Sequence, residues 1–372
     1  MRAALIAAVY LGVLSCPNNA PAPSTITQYL LLAACTNITS GFLASFSINE
    51  TTGALTQVSG SPVPSGTNPA AVAASPNGKF AYVVDVSTGV WAFYMNSITG
   101  APTSVLGTSF STGESIPDAV AVDPSGRFVF VTNSNGFVTA FTIDQFAGSL
   151  ALVGSTSAGT NLSSVAVDST GAFAYLANTS AAPNVPMLSI NSSNGLLTLL
   201  GTASAGNNPS SVAADPVANF LYAANSTDNT VSGFTINAMT GALTPIGSTT
   251  ATGTSPDFVT VDPRGRFLYA ANAAAGGGTV SAFTINSATG ALTGVSGSPF
   301  FVGATAIPVS LAIDPTGKYL YAGSNSAPGA IYGFTIDQTT GALSAISGSP
   351  FIVSGAMWVP SVAAVAISRP GE

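Results

Sequence analysis

The chain has 372 residues, of which 47% are hydrophobic and only 6% charged, with a formal net charge of −7 and no histidine. Seven scattered Lys and Arg exclude a nucleic-acid surface, which needs clustered cations, and disfavour docking on anionic lipid. Without histidine the commonest general base and metal ligand are gone, and two cysteines allow at most one disulfide.

Residues 1–16 read as an export leader. Met1-Arg2 precedes an apolar run from Ala3 to Ser15, which has the length of a signal-peptide core and is too short to span a bilayer. Val13-Leu14-Ser15-Cys16 resembles a bacterial lipobox, which makes Cys16 the candidate lipidation site; secretion with removal of the leader is the alternative. Residues 17–28, opening with PNNAPAP, read as a linker. The expected localisation is exported, either extracellular or anchored to the cell envelope, with membrane attachment only through lipid on Cys16. A second lipobox-like stretch, Leu32-Ala33-Ala34-Cys35, falls inside the first repeat described next, where Cys35 is expected to be a small buried hydrophobe.

From there the chain repeats itself. A strand ending in Asp, a turn and an aromatic strand recur, as in AVAVDPSGRFVFVTN (119–133) and VTVDPRGRFLYAAN (259–272). The anchors are Ser75, Asp123, Asp168, Asp215, Asp262 and Asp314, spaced by 48, 45, 47, 47 and 52 residues. A second motif runs in phase with it seven times, from SFSINETTGALT (45–56) to GFTIDQTTGALS (333–344). Each unit reads as four short strands: a (V-A-V-D), b (F-L-Y-A-A-N), c (V-S-A-F-T-I, alternating with period two) and d (L-T-x-V-x-G-S). The a–b turn takes its dihedrals from Pro and Gly and its backbone acceptor from Asp.

Four strands per unit of this length is the pattern of a β-propeller blade. The first copy starts with strand b near Gln28-Tyr29, while Val362 to Ser368 forms a strand a with no b after it. The expected fold is therefore all-β: a seven-bladed β-propeller of four-stranded antiparallel blades, closed by the C-terminal strand joining the first blade. Residues 29–368 form this single domain, 369–372 a tail, and the chain is expected to be a monomer. Closure of this kind removes the open sheet edges that would otherwise invite aggregation.

The topology also sorts the charges. Lys79, Arg127, Arg264, Arg266 and Lys318 fall in a–b turns on one face, and Arg369 follows the last a strand. The recurring aspartates belong to turns rather than to catalysis. On the other face lie only acids: Asp85 and Asp228 in b–c loops, with Glu114, Asp118 and Asp257 in d–a connections. Asp118 and Asp257 follow prolines just before strand a and should point toward the mouth of the central channel, where propellers bind ligands. These five acids are the candidate ligand-binding set. Glu114 and Asp118 are the candidate catalytic residues, and Glu114, Asp118 and Asp257 the candidate metal ligands. The sequence establishes no cofactor; a hard cation such as Ca²⁺ is the ion that oxygen ligands of this kind would take. The expected partner is a small molecule or protein at the acidic mouth. Gly276-Gly277-Gly278 reads as a flexible loop rather than a phosphate cradle.

The stretch at 123–133 and the F-T-I-N-x-x-T-G-A-L-T units resemble the seven-bladed lactonase family, of the 6-phosphogluconolactonase and muconate-cycloisomerase type, and the related YVTN-repeat surface propellers. The resemblance spans nearly all of residues 29–368 and implies the propeller fold and lactone chemistry. Members of the family carry His and Arg around the channel mouth, often with Pro-His opening strand a. Here the matching pairs are Pro69-Ala70, Pro117-Asp118, Pro209-Ser210 and Pro256-Asp257. A charged lactone would meet negative charge where the family offers positive. The expectation is an exported binding or scaffold module; the alternative is a lactone hydrolase acting on a neutral substrate, with Glu114 or Asp118 as base.

Overall fold

The structure is a computed structural model and describes residues 26–179, 184–274 and 276–369. Every regular element among them is a β-strand. Seven antiparallel sheets follow one another round a ring. Strand a of each blade contacts strand a of the next at all seven junctions, so the a strands wall the channel and the d strands face outward.

The ring closes as the repeat count requires. The first blade takes its strand b from Ile26–Thr36, its strand c from Gly41–Ile48 and its strand a from the last strand, Trp358–Arg369. Leu32 pairs with Ala363, and a bulge between Ala34 and Thr36 bends the seam. Cys35 is buried in this strand, and burial pushes its thiol pKa well up, as expected of an inert core residue. Cys16 and the rest of residues 1–16, expected to be a leader, lie outside the described residues.

Strand d departs from a single segment in four blades. In blades 1, 5, 6 and 7 it is split into two short pieces that both pair with strand c, whereas in blades 3 and 4 it runs unbroken over Leu150–Ser157 and Leu197–Ser204. The glycine triplet divides similarly: Gly276 and Gly277 stay in the b–c loop and Gly278 opens strand c of blade 6.

The hydrophobic core is distributed over seven clusters, each between two adjacent blades. Blade 7 packs Tyr319, Tyr321 and Ile346 against Leu31, Phe46 and Ile48 of blade 1. The repeated aromatic and the repeated T-G turn meet across these interfaces. A Cβ at Gly148, whose φ is +73°, would lie 2.4 Å from the Phe80 ring of the preceding blade, so only glycine allows the close approach. Five buried tyrosines then donate their hydroxyls to the turn glycines of the next blade: Tyr82, Tyr175, Tyr222, Tyr269 and Tyr321, to the carbonyls of Gly148, Gly241, Gly290, Gly341 and Gly53.

Candidate functional site

On the turn face the recurring aspartates bond the backbone of their own turns. Asp123 accepts from the backbone N–H of Arg127 at 2.7 Å and Phe128 at 2.6 Å, and Asp314 accepts from Lys318 and Tyr319 at 2.7 Å each. Basic side chains reach over to the c–d turn of the next blade: Lys79 to the carbonyl of Gln145, Arg127 to that of Ser192, Arg266 to that of Gln338. Both charge types are therefore staples here, as the recurrence of the motif implies.

The opposite face opens into a cavity of about 1150 Å³ at the channel mouth. Its floor is built from one register position repeated seven times, the residue at the bulge that opens strand a. Going round the ring these are Pro360, Ala70, Asp118, Ser163, Ser210, Asp257 and Val309, and all seven line the cavity. Among the described lining residues, Asp118 and Asp257 are the only ionisable side chains and no basic group is present. They occupy blades 3 and 6, with two blades between them on one side of the ring and three on the other.

The chain enters strand a through a left-handed residue in four blades: Ile116, Asn161, Asn208 and Ser255, with φ between 55° and 57°. In each case its carbonyl accepts from the residue just after strand b, Ser134, Thr179, Ser226 and Ala273 in turn. This fixes the first turn of backbone above Asp118 and Asp257. Ile116 is a β-branched residue in a region that such residues avoid, a strain placed two residues from Asp118.

Burial raises the Asp118 carboxyl to about 6, and the like charge of Asp257 adds to the effect. Burial also raises Asp257 above the ordinary carboxylate range. Ser310, at the third position of strand a in blade 7, lines the same cavity, is 2% exposed, and its hydroxyl has no partner among the described residues. The serines at its register in other blades are committed: Ser164, Ser211 and Ser361 accept from the N–H of Val212, Val259 and Val72 in the next blade. Phe258 and Trp358 add aromatic surface to the wall, and the side-chain amides of Asn68 and Asn325 at its rim are uncommitted among the described residues.

The other three acids singled out in the sequence are elsewhere and are spent on loop clamps. Asp85 is fully buried and accepts from the N–H groups of Thr67, Asn68, Ser87 and Thr88 and from the Thr88 hydroxyl. Glu114 accepts from the Asn135 amide at 2.9 Å. Asp228 accepts from the backbone N–H and the side-chain amide of Asn207, which hold its carboxyl below the usual range. None of the three lines the cavity. Among the described residues no group of three or more His, Cys, Asp and Glu is placed to hold a metal ion. Glu114, Asp118 and Asp257 are thus not gathered into one ligand set, and the Ca²⁺ expectation gains no site from them. Ser310, Phe258 and Trp358 escaped sequence reasoning, since a serine or aromatic in a strand signals nothing until its register on the channel wall is known.

The sequence profile described as "Lactonase, 7-bladed beta-propeller" matches residues 29–158, 150–254 and 245–324. Among solved structures, a 6-phosphogluconolactonase-like protein of Bacteroides uniformis is 22% identical, with a TM-score of 0.75 over 91% of this chain and 99% of its own. Its Bacteroides fragilis counterpart is 23% identical, with a TM-score of 0.73 over 91% and 98%. The periplasmic gluconolactonase PpgL of Pseudomonas aeruginosa is 16% identical, with a TM-score of 0.69 over 91% and 99%. Among curated proteins none matches this chain.

Proposed function

The chain belongs to the seven-bladed β-propeller lactonase family, and from that premise we propose that it hydrolyses an uncharged lactone at the channel mouth, with Asp118 as general base. One observation carries the reading: a carboxyl poised near 6 stands in the wall of the large cavity. At neutral pH such a group is mostly ionised, yet it is a stronger base than an ordinary Asp. It takes a proton from water as the water oxygen attacks the lactone carbonyl carbon. The tetrahedral intermediate collapses by breaking the ring C–O bond. Asp118 returns its proton to the departing alkoxide, leaving a hydroxy acid that ionises to solvent.

Substrate charge follows from the lining. Two carboxylates without a counter-cation disfavour a phosphorylated or carboxylated lactone by on the order of 1 kcal/mol for each close charge pair. The uncommitted amides of Asn68 and Asn325 and the Ser310 hydroxyl are neutral donors available to a carbonyl oxygen.

A second reading, a binding or scaffold module at the cell envelope or outside it, is favoured by the absence of any basic donor for the developing oxyanion among the described lining residues. We place either activity outside the cytoplasm on the strength of the leader at residues 1–16. The deciding experiment measures hydrolysis of gluconolactone, δ-valerolactone and 6-phosphogluconolactone above the spontaneous rate. Turnover of the neutral lactones, reduced about a hundredfold or more in Asp118→Asn, supports the hydrolase. No turnover on any of them leaves the binding module.

A further inference from the structure

Asp257 has no role in the proton transfers above, yet it is the only other ionisable group facing the cavity among the described residues. Resting on the reading of Asp118 as base, we propose that Asp257 acts through Asp118 and on the product: its negative charge makes the cavity hostile to the carboxylate that ring opening creates, so neutral substrate enters and anionic product is expelled.

Three observations support this. First, Asp118 and Asp257 share one register position on the channel wall, while the remaining acids of that face are bonded into loops. No titratable or basic side chain from a neighbouring a strand intervenes, since the other five positions of the ring are Pro360, Ala70, Ser163, Ser210 and Val309. Second, every staple made by a basic side chain is on the far face, so no cation neutralises the pair or holds a product carboxylate. Third, the Ser310 hydroxyl, on the strand beside that of Asp257, is buried in the cavity wall without a partner. A buried hydroxyl of this kind costs stability unless something supplies its hydrogen bond, and an oxygen of a neutral ligand seated beside Asp257 would do so.

The chemistry is directional. A lactone carries no charge, and its hydrolysis adds one water and yields one carboxylate at neutral pH. That new charge is created in a cavity whose wall already holds two of the same sign. Binding energy is therefore withdrawn from the product at the moment it forms, while the substrate is unaffected. The same field disfavours the ionised form of Asp118 and so strengthens it as a base.

The test uses the full-length chain with gluconolactone as probe substrate and gluconate as probe product. Asp257→Asn and Asp257→Ser are compared with wild type; the serine copies Ser163 and Ser210 at the same register and gives a second readout should the asparagine variant be compromised. The inference predicts an unchanged KM for gluconolactone. It predicts a gluconate inhibition constant about three- to tenfold lower in both variants, and an acid limb of kcat/KM displaced to lower pH. Added salt should tighten gluconate inhibition more in wild type than in the variants, which keep only the Asp118 charge. Turnover with the gluconate inhibition constant and acid limb unchanged in both variants would overturn the role of Asp257 while leaving Asp118 as base. No wild-type turnover on any probe lactone overturns the reading beneath it and this inference with it.

Discussion

The Tyr321 hydroxyl donates to the carbonyl of Gly53 at 2.7 Å, joining the last blade to the first. Four other interfaces carry the same bond, and at the junction of blades 1 and 2 its place is taken by Ser45, whose hydroxyl donates to Gly100 at 2.9 Å. Leu32 holds the tyrosine register in blade 1 and has no hydroxyl to offer. Tyr321→Phe leaves the Gly53 carbonyl unpaired in a dry interface and should cost about 1–2 kcal/mol in chemical denaturation. Ser45→Ala should cost a similar amount by the same assay.

Asp215 supplies a prediction of the opposite sign. In blades 3, 4 and 7 the outer carboxylate oxygen of the turn aspartate is capped by the hydroxyl two residues on, from Ser125, Thr170 or Thr316. Blade 5 has Val217 at that position, and one oxygen of Asp215 is buried without a partner. Burial raises the Asp215 pKa, against the pull of the Val217 and Ala218 N–H groups. A carboxyl raised in this way lends stability that is complete below its unfolded pKa and lost as pH rises through the folded one. Val217→Thr should therefore raise the melting temperature at neutral pH, by about 1 kcal/mol of stability, with a smaller gain in acid.

Ile116 sits at φ 57° where blades 4 and 5 place Asn161 and Asn208. Asparagine tolerates this conformation and isoleucine does not, so Ile116→Asn should stabilise the fold by about 1 kcal/mol in thermal unfolding. The backbone path into Asp118 is shared by both residues, and turnover should survive the change.

Asp118 couples activity to stability. Its carboxyl is raised to about 6, so its stabilising contribution is present below about pH 4 and lost as pH rises through 6. Asp118→Asn removes the charge that the half-buried site disfavours. Discounted for solvent screening, the variant should be more stable than wild type by about 1–2 kcal/mol at pH 7.5 and no more stable at pH 4. Urea titrations at the two pH values read the difference.

The ring and its closure were legible in the sequence because every blade repeats two anchors and the chain ends on an unpaired strand a. The same repetition identified the turn aspartates, whose N–H partners recur from blade to blade. Division of the acidic face was only half legible. Proline fixes Asp118 and Asp257 in register at the start of strand a, so their direction could be read. Asp85, Glu114 and Asp228 stand where loop lengths vary, and which backbone N–H groups come within reach depends on the path of each loop. Asp85 ends a strand where other blades carry Asn133, Asn225 or Asn272, a hint that it serves the fold as they do. Ser310 was beyond reach, because its isolation lies in a bond to the next blade that its counterparts make and it does not.

The most direct test of Asp118 as the working base is the pH dependence of kcat/KM on gluconolactone between pH 4.5 and 7.5, corrected for spontaneous hydrolysis. The account predicts an acid limb with its midpoint near 6 in wild type, and its disappearance with nearly all activity in Asp118→Asn. A profile that is flat through this range, or an Asp118→Asn variant that keeps the wild-type rate, would contradict it.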